Sequence, residues 1–200
     1  MSPRNWTLKK TLPYILIIGG IIGVVCAFAL SQDRVKLASN PGAQLECSLN
    51  PVVSCVDTIK SSQGEAFGFP NPFLGLAGYA AILTIGAAMT AGARFKRWFW
   101  LAVECGLLFA FVFLAWLFFQ SLYTLHVLCP YCLGVDAVTI PMFWYVTLYN
   151  IDQKHIRLPK RAKRAYKWVR RHHLDLLALS YLLIIFWILK HFWYYYGRNF

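Results

Sequence analysis

"HVLCPYCLGVDAVTIPMFWYVTLY", residues 126–149, sets two cysteines three apart at the head of an apolar run. From Pro130 to Tyr149 the run has 20 residues, about 30 Å of α-helix at 1.5 Å per residue. That is the thickness of a bilayer's hydrocarbon core, about 30 Å. Pro130 suits the first turn of a helix, because the amide proton it lacks has no partner there anyway. Cys129 then caps the helix, and Cys132 sits just inside it. The positive end of a helix favours a thiolate at both places. Such a pair is a redox device or half of a metal site, and it lies at a membrane boundary. Pro141 is expected to kink the helix further in.

Four more runs are long and apolar enough to span: Leu12–Leu30, Phe73–Ala91, Trp98–Phe119 and Leu174–Tyr196. The chain is 58% hydrophobic and only 14% charged, whereas soluble domains are about a quarter charged. Five such runs leave too little polar surface for a soluble core. The expected fold class is an all-α integral membrane protein: a four-helix transmembrane bundle, a fifth transmembrane helix and an extracytoplasmic capping loop. The first run follows Arg4, Lys9 and Lys10 and ends near Ala27-Phe28-Ala29, in the manner of a signal peptide. Its 19 residues exceed the usual apolar region of about 7–15, so it reads as an uncleaved anchor.

Charge orients the segments. Fifteen Lys and Arg fall at the N-terminus, between segments two and three, and between four and five. Five (Arg34, Lys36, Lys60, Lys190 and Arg198) fall on the other side. Positive residues accumulate on the cytoplasmic side. The expected location is the cell inner (plasma) membrane, with the N-terminus cytoplasmic and the C-terminus outside. The 31–72 loop and the 120–126 connection then face outward. The basic run 154–171 is a topology anchor that touches anionic lipid, and no nucleic-acid partner is expected. The closing "HFWYYYGRNF" reads as an aromatic belt at the outer interface.

Four of the six cysteines share the outer face: Cys47 and Cys55 in the long loop, Cys129 and Cys132 on segment four. Disulfides persist in that compartment. A zinc site would need two short Cys spacings, and only one is present, so no metal is expected. A static structural disulfide is the plainer reading of Cys47 and Cys55. Cys26 and Cys105 lie within helices and read as small apolar packing residues. In the loop, Asn50 can cap and Pro51 can open a short amphipathic helix that presents Val52, Val56 and Ile59 on one face. Asn71 sits where the loop re-enters the membrane, either as a cap or turn residue or as a donor to a ligand carbonyl. Asp136 and Glu104 are acids well inside the spans, and intramembrane acids are functional candidates. Asp136 is one turn below Cys132, suited to handling protons or to pairing with a polar neighbour.

Cys47-x7-Cys55, Ser61 six residues on, "FGFPNPFLG" at 67–75 and "CPYC" at 129–132 together resemble the vitamin K epoxide reductase family, its bacterial quinone-linked branch most closely. The resemblance covers roughly residues 12–150. Together with the apolar runs and the charge pattern it gives three expected regions. Residues 1–150 are a four-helix catalytic domain with its outer loop at 31–72. Residues 151–173 are a basic cytoplasmic connection. Residues 174–200 are a fifth transmembrane helix with a short outer tail. It also implies a thiol oxidase that supports disulfide-bond formation. Electrons would pass from a thioredoxin-like partner to the loop cysteines, then to the helix pair, then to a membrane quinone, ubiquinone or menaquinone. Carried over by position, Cys47 meets the partner, Cys55 exchanges with Cys129, and Cys132 faces the quinone. Asn71 matches the donor to a quinone carbonyl, and Ser61 the small hydroxyl residue after the second loop cysteine. The vertebrate enzymes carry Tyr where this chain has Asp136, which puts a second ligand hydrogen bond and epoxide reduction in doubt. Many bacterial relatives carry a fused thioredoxin-like domain after helix five. Phe200 closes this sequence without one, so a separate thioredoxin-like extracytoplasmic protein of the DsbA type is the expected partner. The alternative is a non-enzymatic membrane scaffold or receptor with structural disulfides.

Overall fold

The computed structural model describes residues 8–193 except 44, 46, 49, 51, 158 and 160. It divides into two units, residues 1–149 and 150–200. Among the described residues the regular structure is helical, and extended pairing is confined to one parallel bridge, Val53 with Leu128.

In the first unit, α1 (Leu8–Ser39) is 32 residues long, about 48 Å at 1.5 Å per residue. It outruns the bilayer core, and it continues nine residues beyond Leu30, where the sequence reading placed the start of the outer loop. The reason is periodicity: Leu30, Asp33 and Leu37, at i, i+3 and i+7, stay on one buried face. α3 (Asn71–Thr90) packs along α1 through small residues. A Cβ added to Gly20 would lie 2.9 Å from the Leu83 backbone, and one on Gly86 would lie 3.0 Å from the Ile17 amide. Without a hydrophobic driving force between helices in lipid, close backbone approach of this kind supplies the packing.

α4 (Arg97–Gln120) runs on into a π-helical turn, Ser121–Leu125, so the short outer connection is itself helical. His126, with a φ of 55°, ends it. α5 (Pro130–Asp152) starts at the expected Pro130, passes through Pro141 and ends three residues beyond Tyr149. The Thr147 hydroxyl on α5 donates to Glu104 on α4 at 2.6 Å, and the rings of Trp100 and Tyr149 lie 4.6 Å apart. Glu104 is therefore tied into the bundle.

The loop between α1 and α3 carries α2 (Cys55–Lys60), followed by a 3-10 turn at Ser62–Glu65. The expected helix start at Asn50 and Pro51 is not where α2 begins. Ser54 is the cap, and Cys55 the first helical residue. Asn50 instead accepts from the Val52 and Val53 amides in a local turn, while Pro51 lies outside the described residues. The difference is tertiary: Val52 and Val53 are drawn into the bridge to Leu128, so the helix starts after it.

In the second unit, the basic connection contains a helix, α6 (Ala162–Arg171). At 100° per residue Lys163, Lys167, Arg170, Arg171 and Arg164 fall on one side, and Ala162, Ala165, Trp168 and Val169 on the other. Tyr166 and Arg170 both donate to Asp152, at 2.6 and 2.8 Å. α7 (His173–His191) is the fifth helix of membrane-spanning length and apolarity. Of the closing aromatic stretch, residues 194–200 lie outside the described residues.

Candidate functional site

The Val53–Leu128 bridge builds the site. Leu128 donates its amide to Val52 at 2.7 Å, and Ser54 donates to Leu128 at 3.0 Å. The next residues along each strand are Ser54–Cys55 and Cys129. Both cysteines thus open a helix, side by side. Their sulfurs lie 3.6 Å apart. Cys55 is disulfide-bonded to Cys47, with Cα atoms 5.7 Å apart, and Cys129 and Cys132 are free thiols. Cys47, Cys55 and Cys129 are 6%, 0% and 1% exposed, and Leu30, Leu37, Leu45 and Ile59 enclose them. Water is excluded from the place where the two pairs meet.

Cys129 caps α5 as its placement suggests: the Cys132 amide donates to the Cys129 sulfur at 3.4 Å. A hydrogen bond from the Cys132 thiol, aided by the Cys132 and Tyr131 amides, holds the Cys129 thiol below the ordinary thiol range, against the opposing effect of burial. Cys129, the thiol beside Cys55, therefore ionises more readily than an ordinary cysteine.

Cys132 and Cys129 both line a cavity of about 520 Å³ among α1, α3, α4 and α5. The walls are apolar, from Ala81, Ile82 and Ile85 on α3 to Leu107, Phe113 and Leu117 on α4. Asn71, Ser61 and Asp136, the three candidates for ligand contact, all line it. The Asn71 amide donates to the Gln63 carbonyl at 2.7 Å, and its oxygen accepts from Ala66 at 3.2 Å, so it also staples the loop to the start of α3. The Ser61 hydroxyl donates to the Thr58 carbonyl at 2.7 Å and accepts from the Gly64 amide at 3.2 Å. Asp136 shares a face of α5 with Cys132, four residues away.

Three residues of this region carry no role in the sequence reading. Tyr79 forms cavity wall, and its hydroxyl is 2.6 Å from Thr139. Its signal is spacing, because Asn71, Gly75 and Tyr79 recur every four residues and all line the cavity. Arg34 donates to the Ile59 carbonyl at 3.2 Å and pairs with Glu65, fixing α2 and the 3-10 turn to α1. Asp33, on the same helix end, is buried 3.6 Å from the Cys47 sulfur. Both were read as loop residues, which hid the helical face they occupy. Of the two remaining cysteines, Cys26 lies against Gly134, and Cys105 is exposed.

The family model of the vitamin K epoxide reductase family matches residues 14–147. The chain belongs to the vitamin K epoxide reductase family. No curated protein matches it. The matched span takes in most of α1, the capping loop, α3, α4 and most of α5, and with them both cysteine pairs and the cavity. Membership in this family makes the chain a membrane thiol–disulfide oxidoreductase with an all-helical fold.

Proposed function

We propose that this chain is a membrane thiol oxidase. It draws electrons from a thioredoxin-like partner on the outer face and passes them through Cys47–Cys55 and Cys129–Cys132 to a membrane quinone, so supporting disulfide formation. The observation that carries the reading is the 3.6 Å between the Cys55 and Cys129 sulfurs, with Cys132 lining an apolar cavity. Thiol–disulfide exchange needs a thiolate in reach of a disulfide sulfur, and the two pairs satisfy that at one point.

A partner thiolate attacks Cys47, and Cys55 leaves as a thiolate. Cys55 then attacks Cys129 of an oxidised helix pair, and Cys132 leaves. The partner's second thiol displaces Cys47 from the partner–Cys47 disulfide and leaves the partner oxidised; the freed Cys47 then attacks Cys55 and releases Cys129. The loop pair is then oxidised and the helix pair reduced, which is the arrangement described above. Cys47 is buried in it, so attack by a protein partner requires Cys47 to become exposed.

The cavity fits a prenylated quinone. Ligand pockets run about 300–1,000 Å³ with apolar walls and a few polar groups, and this one has that character at about 520 Å³. Asn71, Ser61 and Asp136 are the residues that would hold it, beside Cys132. A bound quinone supplies an acceptor for two electrons and two protons. The 15-to-5 division of basic residues supports outward placement of the site.

The test is dithiol-dependent reduction of ubiquinone or menaquinone analogues by the purified full chain. Turnover is expected in the wild type and its loss in Cys132→Ala. Substantial turnover in Cys132→Ala, or none in the wild type with either quinone, would reject the reading.

A further inference from the structure

Asp33 has no part in the scheme above, yet it is placed at one of its reacting atoms. Its Oδ2 lies 3.6 Å from the Cys47 sulfur. Its side chain is only 13% exposed, at the end of α1 that projects past the apolar span. Burying a carboxylate is costly without compensation, and Lys36, one turn on, lies 3.9 Å from the other carboxylate oxygen. A like charge beside a cysteine disfavours a resting thiolate there. Cys47 must nevertheless act as a nucleophile when it closes on Cys55.

We propose that Asp33 is the general base that takes the Cys47 thiol proton as the loop disulfide closes. The inference rests on the relay reading. In the step assigned to it, Cys55 is joined to Cys129 in a mixed disulfide and Cys47 is a thiol. The Cys47 proton passes to the Asp33 carboxylate as the Cys47 sulfur attacks Cys55. The Cys47–Cys55 bond forms, and the Cys55–Cys129 bond breaks with its electron pair on Cys129, which leaves as a thiolate. The proton then passes from Asp33 to solvent. The observed state is the product of that step, with the carboxylate still beside Cys47 and the released Cys129 sulfur still 3.6 Å from Cys55. Charged and titratable groups near Asp33 include Lys36 on its own helix and Cys47 on the loop. Across the apolar cluster that Cys47 joins are Cys55, Cys129, Cys132 and Tyr131.

The test follows the Cys55–Cys129 bridge by acid quenching, alkylation and mass mapping, after the reduced full chain is mixed with a soluble quinone. In Asp33→Asn the bridge is expected to accumulate and to decay at least about tenfold more slowly at neutral pH, the low end of what a positioned base contributes. The deficit should close as the pH rises and Cys47 ionises unaided, and Asp33→Glu should restore part of the rate. Lys36→Gln, at an exposed position, removes a charge that favours the ionised base. The acid limb of the decay profile should therefore move to higher pH. Bridge decay at the wild-type rate in a folded Asp33→Asn protein, a deficit equal at every pH, or an acid limb unmoved in Lys36→Gln would overturn the assignment. Cys47→Ala separates this from the relay itself. It should hold the bridge indefinitely, and absence of the bridge there would refute the relay rather than Asp33.

Discussion

At the scale of single residues the helix pair is asymmetric. Both cysteines line the cavity, but Cys129 alone receives the amide hydrogen bond of the helix start and lies beside Cys55. A thiol held below the ordinary range keeps its thiolate at lower pH than a free cysteine does. In reduced protein, alkylation of Cys129 should accordingly begin at lower pH than alkylation of a model thiol. Cys132→Ala removes the first of the stabilising hydrogen bonds, so the titration midpoint of Cys129 should rise. Alkylation followed by peptide mapping across a pH series measures both, and a midpoint unmoved in Cys132→Ala would assign the stabilisation to the backbone amides alone. The cysteines, the capping role of Cys129 and the shared face of Cys132 and Asp136 were legible because helical spacing alone dictates them. Asp33 was not legible. A charged residue three positions past an apolar run reads as loop, and only the burial of Leu37 beyond it shows that the helix continues.

At the scale of elements, α1 and α3 depend on glycine at their contact. Gly20→Ala should destabilise the chain by about 1–3 kcal/mol, since the methyl would press on the Leu83 backbone, which cannot turn aside as a side chain can. Gly106→Ala meets nothing within 4 Å and should be neutral or stabilising by up to about 1 kcal/mol. Thermal unfolding of the two full-length variants in one detergent compares them, and equal stability would remove the close-approach argument. The long helices were readable because each needs only length and apolarity. Their ends and the start of α2 were not. Asn50 and Pro51 form a good local start signal, but pairing of Val52 and Val53 with Leu128 moved the start to Ser54. Local capping chemistry cannot anticipate a partner more than 70 residues away in sequence.

At the scale of the whole molecule, the uneven division of charge bears on orientation and hence on which compartment feeds the site. With the N-terminus inside, exposed Ser62 faces outward and exposed Gln153 faces the cytoplasm. A membrane-impermeant maleimide should label Ser62→Cys in intact cells and Gln153→Cys only after permeabilisation, each in a background lacking other exposed thiols. The reverse pattern would place the cysteine pairs on the reducing side. The direction of electron flow is most directly tested by the order in which disulfides appear. Full-length protein with Cys47, Cys55, Cys129 and Cys132 all reduced would be mixed with one equivalent of quinone, quenched over time and mapped. The expected sequence is a Cys129–Cys132 disulfide first, replaced by Cys47–Cys55 as the loop pair surrenders its electrons. A Cys47–Cys55 disulfide that forms with no prior Cys129–Cys132 disulfide, or that forms equally fast in Cys132→Ala, would contradict the relay.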